Sequence, residues 1–181
     1  KSEGKLRHFG FCAFGGDPVV YNAVADQGKF DSVLVFYNIL NPSSARSMPS
    51  TFTQHDYANV LDRAKQNGVG AVALRVLEAG ALSGSPIPHD LNRGGPSSDP
   101  EYSRNAERAQ KLTFLQRTNE TLAQVGIRFA LANNSVSTVL VGFSDLSQID
   151  EAVACVGQPD LTDAEYGELE ELYASNFNVT G

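Results

Sequence analysis

The chain has 181 residues, of which 41% are hydrophobic, and this length and composition fit one domain, residues 1–181, with a real core. The net charge of -7 opposes a general affinity for nucleic acid or anionic membranes. Two cysteines and three histidines without ligand spacing predict no metal centre and favour the reducing cytoplasm. No apolar run approaches the roughly 20 residues of a membrane span.

Apolar runs alternate with amphipathic segments along the whole chain. We predict strands at 7–14, 31–37, 70–76 and 136–141. We predict helices at 17–27, 56–67, 103–117, 119–132, 145–155 and 162–175. The two longest irregular segments, 41–54 and 79–100, are rich in Ser, Pro or Gly and are expected to be loops. Loops as long as the second one usually bind a ligand or cover a site.

Strict alternation of strands and helices predicts an α/β fold with a parallel sheet. Doubly wound sheets and (β/α)8 barrels both satisfy this pattern. No G-x-G-x-x-G motif follows the first strand, which weakens the dinucleotide-binding Rossmann interpretation. Four strands are also half the number in a barrel.

The last predicted strand stops at Gly142, and Ser144 and Asp145 are N-cap candidates for the helix that follows. Such a junction directs backbone N–H groups and a helix dipole towards an anion such as a phosphate. An ordinary strand-to-helix turn explains the same residues equally well. This stretch alone therefore leaves both interpretations open.

Four segments resemble, in order and spacing, the second half of an aldo-keto reductase: GKLRHFGFCAFGG, FDSVLVFYNILNPS, GVGAVALRVLEAGALSG and FALANNSVSTVLVGFSDLSQIDEA. The resemblance covers nearly all of the chain and is nearest to the aldose-dehydrogenase-like branch. It implies the C-terminal half of a (β/α)8 TIM barrel, that is, strands five to eight alternating with helices, plus a C-terminal helix. It also implies an NAD(P)H-dependent oxidoreductase that acts on a small carbonyl compound or sugar.

The resemblance also assigns residues around the nicotinamide ring. Cys12 and Ala13 stand where many members have the Ser-Asn pair that holds the carboxamide. Leu34 stands where a supporting Gln is usual, and Leu74 replaces an aromatic residue that often stacks on the ring. The nicotinamide contacts implied for this chain are therefore different from those usual in the family.

For the rest of the cofactor, the resemblance implies two groups of contacts. The segment after the third strand would wrap the diphosphate, through Arg75, Val76, Leu77, Gly80 and Leu82. The residues around the last strand end would hold the adenosine phosphate, adenine and ribose, through Gly142, Phe143, Ser144, Gln148 and Glu151. A salt bridge at the strand end is the alternative role for Arg75. Because no Lys or Arg follows Ser135, we expect NAD or NADP with a weak preference for NAD.

No catalytic residue is assigned within the chain. The family's proton donor is a Tyr tuned by a Lys, a His and an Asp, and the resemblance places all four in the first four strands of the barrel. We therefore expect an N-terminal half-barrel segment or chain, or self-association, to complete the fold. The alternative is a non-catalytic half-barrel subunit with a binding or structural role. A hydrolase using the Ser-rich stretch is disfavoured because there is no G-x-S-x-G elbow.

Overall fold

Four short strands form one parallel sheet in the order in which they occur along the chain. The computed structural model describes residues 1–13, 17–84 and 101–179. Within these residues the strands are β1 (Gly10–Ala13), β2 (Ser32–Phe36), β3 (Gly70–Leu74) and β4 (Thr138–Val139). Each strand is parallel to the next, which confirms the predicted α/β fold.

Helices alternate with the strands as predicted. They are α1 (Pro18–Ala25), α2 (Val60–Gln66), α3 (Tyr102–Gln110), α4 (Leu122–Ala132), α5 (Leu146–Val153) and α6 (Asp163–Ala174). Short 3-10 segments occur at Glu78–Ser83, Thr113–Leu115 and Asn176–Asn178. No helix in the described part of the chain is long and apolar enough to cross a bilayer.

Side-chain caps fix the starts of several helices. The Asp17 carboxylate accepts the Val19 N–H at 2.9 Å, and Pro18 begins α1. Thr121 and Thr162 each form a reciprocal capping box with the residue three positions later, at the starts of α4 and α6. These local signals are readable from the sequence, and the predicted starts of the three helices lie within three residues of the observed ones.

Several predicted elements are shorter than expected. The strand predicted at 136–141 pairs only at Thr138 and Val139. The helix predicted from residue 56 begins at Val60, because Ala58 and Asn59 have positive φ values of 48° and 57° and so cannot continue a right-handed helix.

The helix predicted at 103–117 ends at Gln110 and gives way to a 3-10 turn. Leu112 and Leu115 within this change of direction are fully buried, so tertiary packing determines the path. The first strand covers Gly10–Ala13 of the predicted 7–14, and residue 14 lies outside the described residues. In the segment predicted as the loop 79–100, the chain forms 3-10 turns over Glu78–Ser83 with a kink at Ala79 and Gly80, and 85–100 lie outside the described residues.

The two faces of the sheet differ in burial. One face carries the fully buried side chains of Ala13, Val33, Val35, Ala71 and Ala73, and α2 and α4 pack on the sheet. The opposite face carries residues that are paired in register and are only half-buried or exposed: Cys12, Leu34, Val72 and Thr138. The helices therefore cover one side of the sheet.

This one-sided arrangement follows from the strand order. Parallel crossovers are right-handed, so a sheet that grows in one direction only receives its helices on a single face. A doubly wound sheet reverses its strand order at a switch point, and this sheet does not. The fold is consistent with half of a (β/α)8 barrel, in which the open face would point to the barrel interior.

Helix α4 packs closely on the segment after β3 through Gly126. A Cβ at this position would lie 2.9 Å from Leu82 Cδ1 and 3.3 Å from the Val76 carbonyl oxygen. We predict that Gly126→Val lowers the free energy of unfolding by about 1 to 3 kcal/mol, because the added atoms overpack this contact. Denaturant unfolding measures the change.

Gly167 in α6 provides the matched control, since a Cβ there would meet no described atom within 4 Å. Gly167→Val should change the free energy of unfolding by no more than about 0.5 kcal/mol. Equal losses in the two variants would contradict the close-packing argument.

Candidate functional site

The segment after β3 has an unusual backbone. Arg75, Glu78, Ala79 and Gly80 have positive φ values of 57°, 45°, 55° and 100°, and only the last is a glycine. A left-handed conformation costs a non-glycine residue roughly 1 to 2 kcal/mol. Backbone conformations of this kind cluster at functional sites, so this segment is a candidate for one.

Asn38 joins the loop after β2 to this segment. Its side chain is buried, and its Nδ2 donates to the Arg75 carbonyl oxygen at 3.0 Å and to the Glu78 carboxylate. Its Oδ1 accepts the N–H groups of Leu40 and Asn41, both at 2.9 Å. One amide side chain therefore holds the carboxyl-end loops of two neighbouring strands together.

Arg75 takes part in an ion pair at the strand end. Its guanidinium donates to Glu78 Oε1 at 2.8 Å and lies 5.1 Å from the ring centre of Phe36. Asn105 Nδ2 on α3 approaches the same carboxylate oxygen at 3.5 Å. This is the salt bridge that the sequence left open as the alternative role of Arg75. A phosphate at this position would compete with Glu78 for the guanidinium.

The other residues predicted for the diphosphate lie at different depths. Val76 and Leu82 are buried, with exposures of 1% and 0%, because α4 packs against them at Gly126. Leu77 is half-buried. Any contact of Val76 or Leu82 with a ligand is therefore through the backbone. Gly80 adopts a conformation that side chains rarely take, so it permits such a close approach.

The last strand end presents an open glycine. A Cβ at Gly142 would meet no described atom within 4 Å, and Phe143 beside it is 44% exposed. The Ser144 N–H, however, donates to Gln148 Oε1 at 2.8 Å. The anion-site interpretation of this turn expects free N–H groups, and this one is bonded to the side chain of the next helix.

The N-terminus of α5 already carries an anion. Asp145 caps the helix by accepting the Gln148 N–H at 3.2 Å. The Ser147 hydroxyl and this N–H hold the pKa of Asp145 below its ordinary value, so the carboxylate stays ionised at neutral pH. From Ser135 to the C-terminus there are nine acidic residues and no Lys or Arg. A doubly charged phosphate would therefore meet repulsion here rather than a side-chain cation.

The two predicted adenosine contacts on α5 have partners within the chain. Gln148 bonds back to Ser144, as described above. The Glu151 carboxylate accepts the Thr121 hydroxyl of α4, and its carbonyl oxygen accepts Gln124 Nε2 at 3.1 Å. Both side chains are half-buried. Glu151 joins α5 to α4, and Gln148 joins α5 to the turn that precedes it.

The residues predicted around a nicotinamide ring share the open face of the sheet. Cys12 of β1 is paired in register with Leu34 of β2, and Leu74 of β3 is paired with Phe36. Cys12 is exposed, whereas both leucines are half-buried. The structure thus places these three predicted side chains on one apolar surface near the carboxyl ends of the strands.

Other polar groups near these strand ends are engaged in the fold. Burial raises the pKa of Tyr37 to about 12, and its hydroxyl accepts Asn133 Nδ2 at 3.0 Å. Ser43 and Ser44 are fully buried, and the Ser43 hydroxyl donates to Asn41 Oδ1 at 2.7 Å. A phenol with this pKa is a poor acid at pH 7. The buried serines have structural partners in the loop, which argues against a hydrolase.

The comparison with known families decides the broader identity. The model of the aldo/keto reductase family matches residues 1–174. The chain belongs to the aldo/keto reductase family. This confirms the resemblance inferred from the four sequence segments.

The relatives of this aldo/keto reductase chain are distant and longer. L-galactose dehydrogenase of Arabidopsis thaliana is 27% identical over 180 residues, which cover 96% of this chain and 49% of that protein. L-glyceraldehyde 3-phosphate reductase of Escherichia coli K12 is 27% identical over 131 residues, which cover 66% of this chain and 38% of that protein. The chain therefore spans half or less of the length of these curated relatives.

Solved structures support the fold. An aldo-keto reductase of Bacillus halodurans in its holo form superposes with a TM-score of 0.63 at 20% sequence identity, covering 95% of this chain and 52% of that one. The apo form gives the same TM-score. At this identity the likeness concerns the arrangement of strands and helices and not the site chemistry.

Sequence reasoning missed the polar residues that shape the loops. Asn38, Glu78 and Asn105 are buried, yet none was a candidate. The only signal in the sequence is an Asn that comes two positions after the strand-forming run ending at Phe36. The partners of Asn38 lie 37 and 40 residues away along the chain, so no local pattern identifies them.

The Arg75–Glu78 pair should contribute strongly to stability, because its side chains are only 16% and 11% exposed. We predict that Glu78→Gln lowers the free energy of unfolding by about 3 kcal/mol, since it removes the negative charge that lies 2.8 Å from the largely buried Arg75 guanidinium. The exposed Arg63–Asp26 pair provides the control. Asp26→Asn should cost much less, because solvent screens an exposed ion pair. Similar losses in both variants, measured by denaturant unfolding, would show that Glu78 does not hold the segment.

Proposed function

We propose that the chain forms the cofactor-binding half of an NAD(P)H-dependent aldo-keto reductase. The proposal rests on the family match over residues 1–174. This match falls on a parallel sheet that is open on one face, near the carboxyl ends of its strands. Active sites of (β/α)8 barrels lie at these ends. By their names, the two curated relatives act on L-galactose and on L-glyceraldehyde 3-phosphate. A small aldehyde or sugar is therefore the proposed substrate.

The residues present fit a nicotinamide nucleotide at two places. Gly142 leaves a space that a Cβ would enter, and Phe143 beside it is exposed. The positive-φ segment that includes Gly80 offers backbone groups rather than side chains. In the proposal these two regions hold the phosphates, while Cys12 and Leu74 form the apolar wall beside the ring. When bound, the nucleotide supplies or accepts the hydride.

Discrimination between the two nucleotides would depend on α5. Asp145 caps the helix as an anion, and no Lys or Arg occurs from Ser135 onwards. Gln148 and Glu151 suit hydroxyl and amino groups better than a dianionic phosphate. We therefore propose that the site prefers NAD weakly over NADP.

The proton donor is proposed to lie outside these residues. Tyr37 is unsuited because its pKa is about 12 and its hydroxyl is bonded to Asn133. Exposed apolar side chains occur on the helices at both lateral edges of the sheet, with Val19 of α1 at 71% and Leu146 of α5 at 80% exposure. Surface of this kind commonly contacts a partner. We propose that an N-terminal half-barrel segment or chain covers these edges and brings the catalytic tetrad.

A non-catalytic half-barrel subunit is the second candidate. The Tyr37 environment favours it for the chain alone, because this phenol cannot act as the family's acid at neutral pH. A cytoplasmic location, expected from the low cysteine content, stays a prediction.

The chain alone should show no carbonyl reduction with NADH or NADPH, and it should self-associate because its edges and one face of its sheet are open. Adding a first-half polypeptide with the Tyr, Lys, His and Asp should give a one-to-one complex with turnover. Size-exclusion chromatography with light scattering and an aldehyde and sugar reductase assay test this. A stable monomer with cofactor-dependent turnover would refute the proposal, and an inactive one-to-one complex would favour the non-catalytic subunit.

Nucleotide titration of the completed protein should give NAD binding at least as tight as NADP binding. Charge-assisted contacts to a phosphate are worth about 1.5 to 3 kcal/mol each, and the described α5 region offers no cationic side chain for one. Tenfold tighter binding of NADP would contradict the preference. Arg75, Arg93 or the N-terminal half would then be the candidates for the missing cation, and Arg93 lies outside the described residues.

Paired substitutions at the open glycine test whether the nucleotide binds there. Gly142→Asp should weaken both nucleotides at least tenfold, because it adds a carboxylate where a phosphate is expected. Gly142→Ala is the matched control, since its Cβ meets no described atom within 4 Å and leaves the charge unchanged. Equal affinities for all three proteins would assign Gly142 to an ordinary turn.

A further inference from the structure

A cavity of about 180 Å³ lies between the loop after β2, the end of α4 and helix α6. Its lining includes Tyr37, Arg46, Phe129, Tyr166 and Tyr173. None of these residues belongs to the proposed nucleotide site, which uses the strand ends and the N-terminus of α5. The cavity is therefore a separate feature of the fold.

Aromatic rings form much of the cavity wall. The rings of Tyr37 and Phe129 stack with centres 5.5 Å apart and planes 24° apart. Tyr166 lies 6.5 Å from Phe129 on the α6 side. A wall made of ring faces favours an aromatic guest, since aromatic rings attract one another when their centres are about 4.5 to 7 Å apart. An apolar cavity of about 150 Å³ is large enough for benzene, so a single ring fits this volume.

The wall also has two hydrogen-bond donors without an acceptor. The buried Tyr37 hydroxyl accepts a bond from Asn133 Nδ2, but its own proton meets no acceptor among the described residues. Arg46 Nε is buried and likewise lacks a partner in the described part of the chain. Burial holds the pKa of Tyr37 at about 12, so the hydroxyl keeps its proton at any physiological pH.

Charges around the cavity are already paired. Both terminal nitrogens of Arg46 donate to the Glu170 carboxylate, and the guanidinium lies 5.5 Å from the ring centre of Tyr173. The Asp160 carboxylate accepts the Tyr166 hydroxyl at 3.0 Å. An anionic guest would meet these carboxylates, and a cationic guest would meet Arg46. A cationic guest would offer the two donors no acceptor, and an anionic guest would be repelled by Glu170 and Asp160, so a neutral acceptor suits the cavity.

We propose that this cavity binds a small neutral molecule with one aromatic ring and one carbonyl oxygen. The ring packs against Phe129, and the oxygen accepts the Tyr37 hydroxyl proton. Tyr37 and Arg46 flank the loop after β2. A ligand that contacts both residues therefore stabilises this loop, on the side opposite the open face of the sheet.

Calorimetric titration with benzamide tests the proposal. The experiment uses the full 181-residue chain in the assembly in which it purifies. Saturable binding with one site per chain is expected, and Tyr37→Phe should weaken it about five- to tenfold, because only the donor is removed. Tyr21→Phe is the matched control, because it also deletes a buried tyrosine hydroxyl. That hydroxyl has no partner among the described residues, and Tyr21 does not line this cavity. Its affinity for benzamide should equal that of the unmodified chain. Saturating NAD should leave benzamide binding unchanged, since the two sites are separate.

A third variant covers the case in which Tyr37→Phe does not fold. Ala132 lines the cavity and is exposed at the end of α4, so Ala132→Phe should fill the space and abolish benzamide binding with an unchanged circular dichroism spectrum. The proposal is overturned if benzamide shows no saturable binding, if Ala132→Phe binds it normally, or if Tyr21→Phe and Tyr37→Phe weaken it equally. Tighter binding of tetramethylammonium than of benzamide would also overturn it, because it would identify a cation cage.

Discussion

The strand order of the sheet, which runs in one direction only, determines on which face the helices lie and at which end the connecting loops meet. Four parallel strands in sequential order, joined by right-handed crossovers, place the helices on one face and leave the other face open. Because the strands are parallel, all four carboxyl ends lie at the same end of the sheet, and the Arg75 segment and Gly142 follow two of them. The strand order also leaves β1 and β4 as edge strands. Unpaired strand edges and an open apolar face are liabilities that proteins normally cover.

The sequence predicted the order and type of the elements because their signals are local. Capping residues such as Asp17 and Thr162 act within three positions, and apolar runs such as Val33 to Phe36 mark strands by composition alone. The family resemblance rested on the order of four such segments, and it holds over residues 1–174. The fold was therefore readable almost completely, apart from the ends of elements.

The candidate site was less predictable because its geometry comes from contacts between distant residues. Asn38 reaches Glu78 across 40 positions, and this bond gives the loop after β3 its shape. Non-glycine residues with positive φ, such as Arg75 and Ala79, cannot be recognised as such from the sequence. The sequence suggested two roles for Arg75, and only the structure shows the pairing with Glu78. The predicted cofactor contacts themselves stay predictions.

Two glycines illustrate what a structure adds to such predictions. Gly126 is explained by its own chain, because Leu82 and the Val76 carbonyl leave no room for a side chain. Gly142 has no such explanation, since it lacks a positive φ and its missing Cβ would meet no described atom within 4 Å. Glycine costs conformational entropy when a chain folds, so a position that does not need it loses stability by having it. Internal packing therefore does not explain Gly142, and in the proposed function a phosphate from outside the described residues would take the space that a side chain would enter.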